Sequence, residues 1–162
     1  MAASISVRVC TGTDAGTESS AVTGIDHISA DNATNSSGNR TTYPLTAGTR
    51  AFEKWVRLHV DVAPANDVSN FQVWGTGSVD ANTTLYCKGE VATGATPTDS
   101  VSTVATEDWT DYTAAAKLQW DDGTYTDVDD VTEWLVFQLA VGASATPGNM
   151  GQHIYSYGYD ET

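Results

Sequence analysis

The sequence predicts an all-β fold: an antiparallel β-sandwich or jelly-roll-like single domain with long polar loops, running over residues 1–162. Three observations predict it. Several short stretches alternate apolar and polar residues, the period of a half-buried strand. Clusters of Gly, Pro, Asn and Asp separate them, as turns require. No stretch sustains a helical period with caps, and no internal repeat is present.

Ser4–Cys10 places Ile5, Val7 and Val9 on one face and Ser6 and Arg8 on the other, a strand pattern. Thr11–Ser20 is a Gly/Thr/Ser loop. Ala21–Ser29, with Val22, Ile25 and Ile28, is expected to be a short strand. Residues 30–50 are polar and read as a long loop or arm. Phe52–Ala63 is the clearest strand, with Val56, Leu58, Val60 and Val62 facing away from Trp55, Arg57, His59 and Asp61. Pro64–Asp67 supplies a turn. Asn70–Gly75 sets Phe71 and Val73 against Gln72 and Trp74, and Thr83–Val91 carries Leu85, Cys87 and Val91. Ala92–Ala105 reads as a loop. Ala114–Trp120 fits a strand or a single helical turn. Asp121–Asp130 reads as an acidic turn around Gly123. Thr132–Val141 is the most apolar strand, greasy on both faces. Ala143–Gly151 is a loop with Pro147 and Gly148. His153–Tyr159 closes the chain with Tyr155, Tyr157 and Tyr159 on one side.

The chain carries 21 acids, fifteen of them Asp, against 7 bases, a formal charge of −14. Its lysines are Lys54, Lys88 and Lys117. Seven scattered cations cannot build the basic face that displaces counterions from nucleic-acid phosphates, nor one that adheres to anionic lipid. No stretch is apolar enough for a membrane span, and the first residues lack the basic and apolar blocks of a signal peptide. An Asp-rich, Lys-poor surface suits molar salt, where the Debye length shrinks to about 3 Å and carboxylate repulsion fades. A halophilic source is therefore expected, with general solubility as the plainer account. Cys10 and Cys87 fit buried free thiols of a reducing compartment.

Catalytic motifs are lacking: the histidines are dispersed and no nucleophile-elbow pattern occurs, so no catalytic residue and no enzymatic activity are expected. Asp121, Asp122, Asp127, Asp129 and Asp130 form the single metal candidate. Hard cations such as Ca²⁺ take six to eight oxygens, which spaced Asp residues supply. The spacing departs from an EF-hand, and in a chain with fifteen Asp a solvated acidic turn is the better reading, so no cofactor is required. The aromatics say more. Trp55, Trp74 and Trp134 lie opposite the aliphatic rows of their strands, with Val136 beside Trp134. Together with Tyr155, Tyr157 and Tyr159 they fit a core covered on both sides, a subunit interface, or a platform for sugar rings.

Thr46-Ala-Gly-Thr49, Phe52-Glu-Lys-Trp-Val-Arg57, Pro64 and Phe71-Gln-Val-Trp74 resemble the middle strands of small β-sandwich virion proteins of tailed double-stranded DNA viruses. Trp134-Leu-Val-Phe-Gln-Leu139, Thr146-Pro-Gly148 and Tyr155-Ser-Tyr-Gly-Tyr-Asp-Glu161 are similar to their final two strands. The resemblance is one of pattern, without a diagnostic motif. It implies a structural protein of the virion, such as a capsid decoration (cement) protein, assembled in the host cytoplasm, or a tail or adaptor component. It also implies a homo-oligomer, a trimer above all, in contact with the major capsid protein or other virion proteins. With the salt reading, it points to a virus of halophilic archaea.

Overall fold

The computed structural model describes residues 2–32, 36–76, 79–146 and 154–162. The expected turn at Pro147-Gly148 and the start of the closing strand at His153 lie outside them. Among the described residues, two antiparallel sheets pack face to face. The larger sheet has the order β2 (Thr17–Glu18), β1 (Ser4–Thr11), β3 (Lys54–Val62), β8 (Trp134–Val141), β5 (Thr83–Val91) and β6 (Glu107–Asp108). The smaller has β7 (Leu118–Tyr125), β4 (Val68–Thr76) and β9 (Ile154–Glu161). From β3 onward, each long strand lies in the sheet opposite its predecessor.

Strand alternation builds the core. Val9, Val56, Leu58, Val60, Leu85, Leu135, Phe137 and Leu139 project from the larger sheet onto Val68, Phe71, Val73, Leu118 and Trp120 of the smaller. Val68 and Phe71 are three apart, yet both are buried. A bulge at Asn70, where φ is +53° and the pairing register shifts, makes this possible. Trp109, on the 3-10 turn Trp109–Asp111 that the Asp108 side chain caps, adds a large inward ring 5.1 Å from that of Phe137.

The outer face of the larger sheet is also covered. Ala15, Ala95, Val104 and Ala105 from two loops roof Cys10, Trp55, Val136 and the half-buried Tyr86, Val91 and Trp134. Gln138, fully buried on this face, fixes the roof. Its Nε2 donates to the carbonyls of Ala51, Thr98 and Ser100, and its Oε1 accepts from Ser102 N at 2.9 Å and Arg50 Nη1 at 3.2 Å. Cys10 and Cys87 are free, buried, and on opposite sides of this sheet.

Three expectations change. Ala21–Ser29 is irregular rather than a strand. Its apolar residues fall every third position, which suits neither sheet face, and the segment is tied to its neighbours by Val22 N donating to Val7 O and Phe52 N to Ile28 O, with Ile28 buried. The 30–50 arm includes a helix, α1 (Ser37–Thr42), whose Ser36 cap accepts from Asn39 N at 3.1 Å. Arg40 of α1 pairs with the buried Asp26 at 2.5 Å. Finally, the acidic turn begins later than expected, because β7 continues through Asp121 to Tyr125.

Lys54 is 1% exposed where the arm meets β3, and its Nζ donates to Ala30 O and Asn32 O, both at 3.0 Å. Burial draws its pKa down to about 8, against the pull of Asp31 and Asp26. Unfolded, it would titrate near pH 10.4. Between these values the unfolded chain binds more protons, so this group's contribution to stability rises with pH across that window and is flat below it. The gain is about 3 kcal/mol at full deprotonation. Urea unfolding of the wild type minus that of Lys54→Met, at pH 7.5 and at pH 10, should show the rise. A difference that does not change with pH would contradict it.

Candidate functional site

The expected site residues separate by burial. Trp55 and Val136 are fully buried beneath the roof loops, so their side chains are core and cannot form an interface. Trp134 is half-buried, edge-on to Trp55 at 6.1 Å, with the Arg57 guanidinium 5.5 Å from its ring. Tyr155, Tyr157 and Tyr159 turn inward. Tyr155 lies 5.0 Å from Phe137, Tyr159 lies 5.8 Å from Phe71, and the Tyr157 hydroxyl donates to Ile5 O at 3.2 Å. Both faces of β8 and the tyrosine row of β9 therefore serve the chain's own packing.

The five candidate cation ligands also disperse. Asp121 is buried and satisfied internally: Oδ1 accepts from Gly123 N, and Oδ2 from the Tyr125 hydroxyl and Glu133 N, at 2.5–2.6 Å. Asp130 Oδ2 accepts from Thr126 N and Asp127 N, closing a tight turn. Asp129 lies 3.5 Å from His59 Nε2, while Asp122 and Asp127 are exposed. Among the described residues, no group of three or more His, Cys, Asp or Glu could hold a metal ion.

Two other features have chemical character. On the outer face of β1 and β3, Arg8 bridges Glu18 at 3.0 Å and Asp61 at 2.8 Å, Arg57 also pairs with Glu18, and His59 Nδ1 lies 3.1 Å from Asp61. Burial pushes the Asp61 carboxyl up, but hydrogen bonds from Ser6 and Arg8 and the Arg8 charge outweigh it and hold the group below its ordinary value. This network ties β1, β2 and β3 together. A shallow open groove of about 470 Å³ lies between the 48–50 turn, the start of β5 and the end of β8. Arg50 is its one ionisable lining residue, and that guanidinium is engaged by Gln138 and lies 5.3 Å from the Tyr86 ring.

The outer face of the smaller sheet is different: among the described residues, no buried apolar cluster covers it. Phe71 and Val73 point into the core, which sends Gln72 and Trp74 outward. Register places Gln72 between Gln119 and Gly158, and Trp74 beside Ser156. A Cβ on Gly158 would touch the Trp74 ring at 3.5 Å, so the indole rests against that glycine. Lys117 Nζ stands 4.6 Å from the ring centroid. Asn70 is held by its neighbours: its Nδ2 donates to Asp160 Oδ2 at 2.9 Å, and its Oδ1 accepts from Gln72 Nε2 at 3.3 Å. Gln119 Nε2 donates to Asp121 O at 2.8 Å and Phe71 O at 3.1 Å. Trp74 alone was foreseen here. The amides were legible only as the polar half of an alternating strand, and the bulge that brings Asn70 into line with them has no sequence signature.

The molecule is thus an all-β protein built as a two-sheet sandwich. Comparison with protein-family models, curated proteins and solved structures returned no match.

Proposed function

We propose that this chain is a non-enzymatic structural protein of a virus particle, a capsid decoration protein on the head of a halophilic tailed virus. The observation that supports it most is the unequal treatment of sheet edges. The larger sheet ends on two-residue strands, β2 and β6, and a short edge strand discourages pairing with another chain. The smaller sheet ends on the eight-residue β9, which pairs with β4 and, among the described residues, with no strand on its other side. An edge of that length can accept a strand from a capsid neighbour or from another copy of the protein. Repetition around a closed trimer would multiply a modest contact into firm attachment.

Mass spectrometry of purified virions tests the assignment. Hundreds of copies per particle are the expected result for a head decoration, a few copies would move the protein to the tail or an adaptor, and absence would overturn the proposal. A solution test addresses the salt component. Diluting from about 1 M to 0.1 M salt lengthens the Debye length from about 3 to 10 Å and restores repulsion within a chain of charge −14. The melting temperature is expected to fall by several degrees on dilution. An equal value at both salt levels would count against a brine-adapted protein.

A further inference from the structure

We propose that His59 is a pH-operated latch for the acidic turn: on taking up a proton it draws Asp129, and with it the 126–131 segment, onto β3, and on losing the proton it lets that segment loosen. Strand alternation sends His59 to the outer face of β3 with Arg57 and Asp61. Register places Ser6 of β1 beside it on one side and Val131 on the other. The chain around Val131 thus runs along β3. Asp129 N donates to Val60 O, Val60 N to Asp130 O, and Thr132 N to Leu58 O, at 2.9–3.0 Å. Asp129 holds its place at φ +70°, a conformation that non-glycine residues adopt at a cost, so this stretch is the one a small change in side-chain attraction can move.

The imidazole has two discrete hydrogen-bonding arrangements. Its Nδ1 faces a donor and an acceptor together, Arg8 Nη2 at 3.0 Å and Asp61 Oδ1 at 3.1 Å, and one nitrogen cannot serve both. In the neutral ring Nδ1 accepts from Arg8, whose Nη2 keeps its second hydrogen for Asp61 at 2.8 Å. The single ring N–H is then on Nε2, 3.5 Å from Asp129 Oδ1. In the charged ring Nδ1 donates to Asp61 instead, and Nε2 faces Asp129 as part of a full cation. Asp61, held below its ordinary pKa, stays an anion in both arrangements. The charges around the ring set the direction. Arg8 comes from β1, Glu18 from β2, Arg57 and Asp61 from β3, and Asp129 from the turn. Three carboxylates stand against two guanidinium groups, so an imidazolium completes the balance. Asp127 and Asp130, farther along the turn, add to the same pull. Histidine is the side chain suited to a change of charge between pH 5 and 8, and a two-state element biased by that change is how such switches work. The inference does not rest on the particle assignment: the latch operates within one chain, whatever the chain is part of.

The test is amide hydrogen exchange of the full chain at molar NaCl, at pH 5.5 and pH 8, with each rate divided by the intrinsic rate at that pH. Direct contacts of a nearly buried ring resist screening, and the His59 side chain is 9% exposed. Amides shared by β5 and β8 report the molecule as a whole and serve as the reference. Relative to them, the Val60 and Asp129 amides should be about threefold better protected at pH 5.5 than at pH 8, the size of effect that one partly exposed ion pair supplies. His59→Gln and Asp129→Asn should each erase the difference. The Asp129 side chain is 83% exposed and asparagine tolerates a left-handed backbone, so the second variant spares the fold, which circular dichroism checks for both. The His59 ring, followed by NMR in the wild type, should titrate over the same range. Protection that does not change with pH in the wild type, a difference that survives in either folded variant, or a ring whose charge is constant between pH 5 and 8 would each overturn the proposal.

Discussion

Gly89→Ala is expected to abolish the native fold. A Cβ at this position in β5 would stand 1.9 Å from the carbonyl oxygen of Gln119 in β7, on the opposing sheet. The clash is with backbone, so no side-chain rotation relieves it. Glycine within a strand marks such a close approach of a second backbone. Relief requires separating β5 from β7, which exposes Leu118 and Trp120 of the core. Loss of well over about 5 kcal/mol is expected, more than the stability of a domain at the low end of the ordinary range. Tryptophan fluorescence and circular dichroism at molar salt would reveal it, and a cooperative melt close to that of the wild type would refute it.

The second large effect concerns the roof. Gln138→Leu keeps the bulk but removes all the polar contacts that this amide makes, leaving Ser100 O and Ser102 N without that partner. An unsatisfied buried polar group costs roughly 1–3 kcal/mol, so a loss of about 3 kcal/mol or more is expected in urea unfolding. Gln138→Glu should be worse still, because a carboxylate would face the carbonyl oxygens of Ala51, Thr98 and Ser100. The signature that distinguishes this from generic destabilisation is local. Protease should cut within residues 98–105 before the sandwich unfolds, and amides there should exchange faster. Uniform exchange across the molecule would contradict the role of Gln138 as the roof's anchor.

Much of the architecture was legible because strand alternation is a local signal. β1, β3, β5 and β8 fall where their apolar rows predict, and the two-sided greasiness of Thr132–Val141 is explained by core on one face and roof on the other. What remained hidden depends on contacts between distant residues. Trp55 and Trp74 have the same pattern in sequence, each opposite an aliphatic row. One is entombed because the loop around Val104 lies over its sheet, and the other is only half-buried because, among the described residues, no buried apolar cluster lies over the smaller sheet. Likewise, Asp121 reads as one acid among five, and only the Tyr125 hydroxyl at the end of β7 and the approach of Glu133 N turn it into a buried acceptor. The bulge at Asn70 and the inward Trp109 have no periodic signature at all.

The to-and-fro winding of the long strands has a kinetic consequence. At the heart of the larger sheet, Lys54 lies opposite Phe137, and Trp55 opposite Val136. This pairing cannot begin until the chain through Phe137 has emerged from the ribosome. Closing so large a loop precedes any reward from contacts, and sandwiches dominated by such distant partners acquire their structure in milliseconds to seconds. The nascent chain must therefore remain dissolved while its greasy segments await their mates, a period during which the hydration of its many carboxylates favours solution over association.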